Sequence, residues 1–338
     1  MVEKLKILKY IGIVAVCFVI LSVIVVNVTP VPVSLFVRSQ FSKNLRTKPE
    51  NYLEYANKVV VEENLEYPSM FNDNKVDLYL PNDGYDFSVI IWIHGGAFVG
   101  GDKVDAKEYA TMLSANGYAV VLANYERAPE LKYPNQLKQL EEIYSFVLDI
   151  AAEYGLDIDN LFWAGTSAGA HMVAQFALIQ TSMEYAIKMG FEQVVEPDGI
   201  KGLLLYSGPF DVEKINNVKN RVASFLFSQT SWAYFGKRNW ESLYGDIATI
   251  KNHVTNSFPP TFITDGNNGS FEEHAMELVE VLKKNNVAVS SLFISKEIKT
   301  GHEYQFKLDT NPAMESLEET LKFLDEIIDE YGSVDYEG

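Results

Sequence analysis

Gly165-Thr166-Ser167-Ala168-Gly169 follows the apolar run Leu161-Phe162-Trp163-Ala164 and precedes a helix-like stretch from His171 to Ile179. A serine on a sharp strand-to-helix turn has its hydroxyl held clear of the backbone. The turn is so tight that the residues two before and two after it must lack side chains. Gly165 and Gly169 meet that demand, and the helix that follows directs its N-terminal N–H groups at the serine, where they favour developing negative charge. The chemistry suited to such a serine is nucleophilic attack on an acyl carbon, which passes through a tetrahedral oxyanion. That oxyanion needs fixed backbone donors, and a second motif supplies them. The apolar run Phe87 to Ile93 ends in His94-Gly95-Gly96-Ala97-Phe98, whose glycines let backbone N–H groups approach one spot closely. Gly95, Gly96 and Ala168 are the expected oxyanion donors.

A serine nucleophile needs a base, and the chain has five histidines. His94 belongs to the oxyanion loop. His171 lies four residues after Ser167 on the following helix, facing back into the protein. His253 falls in a loop-rich stretch, and His274 in the first turns of a helix. His302 follows the strand-like Ser291 to Ser295 and the short loop Lys299-Thr300-Gly301. It also comes after the serine in the chain order nucleophile, acid, histidine, so it is the expected general base.

These residues carry a family resemblance. Trp92-Ile93-His94-Gly95-Gly96-Ala97-Phe98, Asn124-Tyr125-Glu126-Arg127-Ala128-Pro129-Glu130, Tyr133-Pro134, Tyr154-Gly155-Leu156-Asp157 and the elbow occur in order. Together they resemble the hormone-sensitive-lipase-like branch of the α/β-hydrolases, and within it the small bacterial acetyl- and feruloyl-type esterases. The resemblance runs from about residue 58 to 328. It implies an α/β-hydrolase fold, a serine esterase activity, and an oxyanion hole at the positions already assigned. Two departures are minor: Ala97 stands at the third loop glycine, and the usual D-Y-R-x-A-P-E has its arginine one place later. A third touches the catalytic acid. In the family the acid lies in a G-x-x-D pattern past the penultimate strand, but here the expected positions are Asn268 or Gly269. Asp265 at the end of the Pro259–Thr264 run is the first choice, with Glu272 as the alternative. Glu273 is explained as the partner of Ser270 in a helix capping box, and Asp211 is a weaker candidate from the preceding loop.

The elements needed to position these groups are visible as alternating patterns. Strand-like runs at 76–80, 89–93, 119–123, 162–164, 203–206, 262–264 and 292–294 are separated by helical ones. An example is Asn135 to Tyr154, where Leu137, Leu140, Ile143, Tyr144, Val147 and Leu148 recur at three and four. Such alternation implies an α/β fold: a mostly parallel central sheet with helices on both faces. About 280 residues with 47% hydrophobic composition overall are enough for one catalytic domain, placed at 58–330. The interval 211–258 lacks a clear strand and holds Phe225, Phe227, Trp232, Tyr234, Phe235, Trp240 and Tyr244. It reads as a partial cap lining an acyl or aryl pocket, or as two helices packed on the core.

Lys4, Lys6 and Lys9 precede eighteen residues, Ile11 to Val28, interrupted only by Gly12, Ser22 and Asn27. This is a transmembrane helix or a signal peptide, and an uncleaved signal anchor is the expectation because no small-x-small cleavage site follows. The organisation is then a cytoplasmic tail at 1–10, the anchor at 11–28, a membrane-proximal stem at 29–57, the catalytic domain and a tail at 331–338. The three lysines keep the N-terminus inside and place the catalytic domain outside the cytoplasm, or secrete it if the segment is cleaved. Arg38, Lys43, Arg46 and Lys48 weaken that argument.

The chain carries 28 basic and 46 acidic residues, net −18. Residues 1–48 hold seven of the basic residues against Glu3 alone, so the remainder is near −24. That surface excludes nucleic acid as a partner, and the basic stem is compatible with an anionic bilayer that holds it. The single cysteine, Cys17, lies in the apolar segment, so no disulfide or thiolate metal site is expected. No metalloprotease, phosphate-loop or dinucleotide motif implies a cofactor or metal. The expected partners are a small-molecule or carbohydrate ester and, through the N-terminal helix, a membrane. The function expected is serine carboxylester hydrolysis of short-chain or acetyl esters. The alternative is a catalytically weak hydrolase-fold binding module at the cell surface.

Overall fold

The computed structural model describes residues 2–41, 46–216 and 220–332. Lys43 of the stem and the tail from residue 333 lie outside the described residues. One sheet of eight strands organises the described residues: β1 (Val59–Glu66), β2 (Lys75–Pro81), β3 (Phe87–Ile93), β4 (Ala119–Ala123), β5 (Leu156–Thr166), β6 (Gly202–Tyr206), β7 (Thr261–Asp265) and β8 (Val289–Phe293). Their spatial order is β1-β2-β4-β3-β5-β6-β7-β8. β1, β2 and β4 pair antiparallel, and every pair from β4 to β8 is parallel.

The parallel strands are apolar on both faces because helices cover both. Val89, Ile91 and Ile93 of β3 point into one core with α5 (Asn135–Tyr154), α6 (Ala168–Thr181) and α10 (Glu272–Lys284). Ile90 and Trp92 point into the other, with α4 (Lys107–Ser114) and α11 (Asn311–Gly332). α5 buries Leu137, Leu140, Ile143, Tyr144 and Val147, the stripe its periodicity predicts, and ends at Gly155 in the left-handed conformation (φ 63°). Two differences from the predicted strands have simple causes. β1 is an exposed edge strand, Val-Val-Val-Glu-Glu-Asn, with a bulge between Glu62 and Leu65, so it shows no alternation. β5 begins six residues early because Leu156 and Asp157 already pair with Phe87 and Ser88, ahead of an exposed stretch at 158–159.

The N-terminal part is helical. α1 (Val2–Val28) is one helix, and its stretch Glu3–Val28, with hydropathy 3.0, is long and apolar enough to cross a bilayer. α2 (Val31–Phe41) follows and packs on α8 (Arg221–Phe235), while the short α3 (Tyr52–Ala56) lies by α4. Two cations of the 29–57 segment contact the rest of the chain. Arg38 donates to Glu130 through two nitrogens (3.0 and 2.5 Å) and to the carbonyls of Ala128 and Val99, and Arg46 pairs with Asp105 and the Val104 carbonyl. These two arginines therefore fasten the segment before β1 to the rest of the chain, Arg38 through a bidentate guanidinium–carboxylate pair and Arg46 through one carboxylate oxygen and one carbonyl. α7 (Met183–Met189) and α9 (Trp240–Ala248) complete the helices.

Candidate active site

β3 leads through α4 to β4 on one side, whereas β5 lies on the other side of β3. The carboxyl ends of β3 and β5 therefore border the point where the strand order reverses, which is where open α/β sheets form a crevice. β3 delivers His94-Gly95-Gly96 to that crevice, and β5 delivers Ser167. Ser167 has φ 51° and ψ −118°, a strained backbone for a residue with a side chain, and its N–H donates to the Tyr206 carbonyl at 2.8 Å. The flanking glycines are dictated by close approach. A Cβ on Gly169 would stand 2.1 Å from the Ile93 carbonyl oxygen, and one on Gly165 would stand 2.6 Å from the Ala170 nitrogen. The helix start is thus pressed against the end of β3, and α6 aims its first N–H groups at the serine.

The loop after β3 is equally crowded. Gly96 has φ 119°, and a Cβ there would meet the Gly100 carbonyl oxygen at 2.1 Å. One on Gly95 would lie 3.0 Å from Ser167 Cβ, which brings this backbone beside Ser167. Among the described residues the N–H groups of Gly95, Gly96 and Ala168 donate to no protein acceptor. Three adjacent unpaired donors beside Ser167 suit a transient oxyanion. The Asn124–Glu130 segment backs the loop. Tyr125 stacks on His94 at 4.4 Å, Ala128 N–H donates to the Phe98 carbonyl, and Arg127 ties the Gly101 carbonyl to Asp73. Burial pushes the His94 imidazole down to about 4, which keeps it neutral.

The loop after β8 brings His302 to the serine, with Nε2 2.9 Å from Ser167 Oγ. Its Nδ1 does not reach a carboxylate. It lies 2.7 Å from Ser270 Oγ, and the Ser270 hydroxyl donates to Asp265 Oδ1, which also accepts from Gly266 N–H at 2.6 Å. The Ser270 hydroxyl has one hydrogen, and it points to Asp265. Its oxygen must then accept from His302 Nδ1–H, which leaves Nε2 with a free lone pair facing Ser167. The four side chains thus form one hydrogen-bonded chain from Ser167 through His302 and Ser270 to Asp265.

Electrostatics follow the same line. Burial lowers the His302 pKa from 6.5, opposed by the Asp265 charge. Burial raises Asp265 above 3.8, opposed by His302 and by hydrogen bonds from Ser270, Ser207 and Gly266. Glu303, next to His302, has φ 54°; its N–H donates to Ser207 Oγ at 3.1 Å, and its carboxyl lies against Gly95 and Thr166. Burial pushes that carboxyl up to about 7, against the Thr166 hydrogen bond and the Arg46 charge.

The other candidates are engaged elsewhere. Glu272 pairs with Lys296, and Asp211 with Lys251 (2.6 Å) and Lys214 (3.4 Å). His171 is buried, with Nε2 2.8 Å from the Ala248 carbonyl; His253 sits against the Asp246 carbonyl; and His274 Nδ1 accepts from Asp211 N–H. The capping box expected of Ser270 and Glu273 is absent. α10 has Phe271 as its N-cap with no side-chain bond, Glu273 is exposed, and the Ser270 hydroxyl is held by the charge-assisted bond to Asp265, which is stronger than a neutral cap. Sequence reasoning missed Ser270 and Glu303 as parts of the site. The signal for Ser270 was its place one residue past Gly269, where the family's acid is expected. Among the described residues no three His, Cys, Asp or Glu side chains converge to hold a metal ion.

A cavity of about 190 Å³ opens beside Ser167 and His302, walled by Ala97, Phe98, Ile215, Phe227, Thr230 and Phe271. It is smaller than pockets for drug-sized ligands, which begin near roughly 300 Å³. Of the aromatics between 211 and 258, Phe227 reaches this cavity. Tyr234, Phe235, Trp240 and Tyr244 instead form a stack with Tyr133 and Phe98, so most of that interval's aromatic content is core.

Comparison with known proteins finds this chain similar to proteins named as esterases. A model of the BD-FAE family matches residues 76–275. Esterase LipQ of Mycobacterium tuberculosis is 26% identical over 204 residues, covering 57% of this chain and 45% of that protein. An acetyl esterase of Salmonella schwarzengrund is 28% identical over 113 residues, covering 33% of this chain and 34% of that protein. The chain spans less than half the length of these curated relatives. Among solved structures, esterase B from Lactobacillus rhamnosis superposes with a TM-score of 0.73 at 18% identity, covering 90% of this chain and 94% of that one. A bacterial heroin esterase superposes with 0.64 at 18% identity, covering 80% and 85%.

Proposed function

The chain belongs to the BD-FAE family, and from that premise we propose that it is a serine carboxylester hydrolase acting on short-chain or acetyl esters. Ser167 Oγ attacks the ester carbonyl while His302 Nε2 takes its proton. The carbonyl oxygen becomes an oxyanion among the N–H groups of Gly95, Gly96 and Ala168. The imidazolium, steadied through Ser270 by Asp265, returns the proton to the departing alkoxide and leaves an acyl group on Ser167. Water then attacks that acyl group, with His302 as base, and restores the serine.

The observation that carries this reading is the 2.9 Å approach of His302 Nε2 to Ser167 Oγ, in the tautomer fixed by the Ser270–Asp265 relay. The small apolar cavity favours short acyl groups, and the acetyl esterase relative agrees with that choice. α1 serves as an uncleaved membrane anchor, residues 58–330 as the catalytic domain on the outer side, and 211–258 as its partial cap. Turnover of nitrophenyl esters from acetate to decanoate tests the proposal. Activity is expected to be greatest at the short end and absent in Ser167→Ala. Activity unchanged in Ser167→Ala would overturn it.

A further inference from the structure

The span does not end on empty space. Arg238, in the turn between α8 and α9, donates to the Asn27 carbonyl at 2.9 Å and to Asn27 Oδ1 at 3.0 Å, so this turn caps the C-terminal end of α1. The Arg238 guanidinium also lies 5.6 Å from the Trp232 ring. Lys132 joins them, because its side-chain stem runs against Gly236 in the same turn, and Lys237 stands next to Arg238. Lys132, Lys237 and Arg238 are exposed, and among the described residues none of them is in an ion pair. Three unneutralised cations thus gather where α1 emerges, on a chain whose net charge is −18.

Apolar surface continues from the same point. Val28 at the end of α1, then Val31, Leu35 and Phe36 of α2, are 71%, 38%, 45% and 57% exposed. Positions 31 and 35 share one row of a helix and 36 lies beside them on its exposed half, while Val33 and Ser34 are buried. The other side of α2, with Val33, Ser34 and the partly buried Val37, faces the domain, while Arg38, in line with Val31 and Leu35, fastens the end of the helix to Glu130; α2 packs on α8, whose Phe227 and Thr230 wall the acyl cavity. Cations with an amphipathic tryptophan beside an apolar stripe, all at the end of a span, match the charge and polarity of an anionic headgroup layer.

We propose that this face, made of Lys132, Lys237, Arg238, Trp232 and the apolar edge of α2, seats the catalytic domain on an anionic bilayer surface. It would thereby present the acyl cavity to esters dissolved in that leaflet. The proposal rests on the anchor and esterase readings above, and it deepens them by naming where the substrate comes from. The stem's own arginines do not take part, since they are held by the domain.

Trp232 offers a direct probe, because it is half-buried while Trp92, Trp163 and Trp240 are at most 2% exposed. The full chain is reconstituted in vesicles of phosphatidylcholine alone or mixed with phosphatidylglycerol, with brominated acyl chains as quenchers. Tryptophan emission is expected to be quenched more strongly in the anionic vesicles. That quenching should disappear in Trp232→Phe and fall by most of its extent in Lys132→Glu/Lys237→Glu. The same double variant is expected to turn over a vesicle-dissolved ester severalfold more slowly than the unaltered chain, with hydrolysis of soluble nitrophenyl acetate unchanged. Quenching that is indifferent to Trp232 or to charge reversal, or a chain that does not sediment with the vesicles, would overturn the proposal. Loss of soluble-ester turnover in the unaltered chain would instead count against the esterase reading, so the two failures are distinguishable.

Discussion

Replacing Ser270 by alanine removes the oxygen that accepts from His302 Nδ1–H and the hydroxyl that donates to Asp265. The acyl cavity is untouched, since Ser270 is not among its lining residues. A hydrogen bond to a charged group contributes about 1.5–3 kcal/mol. On the proposed mechanism His302 becomes an imidazolium in the transition state, and its link to the Asp265 charge runs through this one hydroxyl. If the full hydrogen-bond contribution is lost there, kcat falls by about 10- to 150-fold, with KM unchanged. The loss stays below the roughly 10⁴-fold of a wrong tautomer, because the Asp265 charge still acts on the ring through space. Ser270→Thr keeps a hydroxyl at the same place and is expected to restore most of kcat. Asp265→Ala and the double variant Ser270→Ala/Asp265→Ala should be alike, because residues that act as a unit are not additive. Steady-state kinetics on nitrophenyl acetate give each value. A Ser270→Ala kcat within about twofold of the unaltered enzyme, or additive effects of the two substitutions beyond about 0.5 kcal/mol, would refute the relay.

Other expectations follow from the same geometry. The His302 pKa is lowered by burial, so the base stays neutral below pH 6.5 and the acid limb of kcat/KM should lie below that value. A limb at or above pH 6.5 would contradict this. Burial pushes the Glu303 carboxyl up to about 7 beside Gly95, and its ionisation would place negative charge next to the proposed oxyanion donors. Activity should therefore decline as pH rises through about 7, and Glu303→Gln should flatten that decline in a pH–rate profile. Gly96→Ala forces a side chain onto the Gly100 carbonyl at φ 119° and should lower kcat by about 10²-fold or more, as for loss of an oxyanion donor. The enzyme's circular dichroism is expected to be retained. Lys103 and Asp77 form a buried pair at 2.6 Å just behind this loop, and Lys103→Ala should cost about 3–5 kcal/mol in chemical denaturation by leaving Asp77 unpaired.

Much of the molecule was legible because its demands are local. A glycine two residues either side of Ser167 reflects contacts under 3 Å with β3 and with the start of α6, and such constraints leave a mark in any sequence that folds this way. Strands β3 to β6 were readable because burial on both faces imposes continuous apolar runs, and α5 because one face must pack on β5. The exposed edge strand β1 was not, since its pairing with β2 needs neither alternation nor apolar residues. The acid was the least legible part. Asp265 and Ser270 are five residues apart, and the relay depends on a loop folding back so that a serine stands between the carboxylate and the ring. Ser270 and Glu273 have capping-box spacing, and only the placement of His302 from 32 residues further along decides between the two uses of that hydroxyl. Likewise the pairing of Arg38 with Glu130 and of Arg46 with Asp105 was not legible, because the partners are distant in sequence.

The central claim, that Ser167 is a nucleophile activated by His302, is tested most directly by reaction with a fluorophosphonate probe followed by peptide mass mapping of the full chain. The account expects stoichiometric labelling of the peptide bearing Ser167, no labelling in Ser167→Ala, and labelling slowed by orders of magnitude in His302→Ala. Labelling elsewhere, or labelling of Ser167 at the same rate without His302, would contradict it.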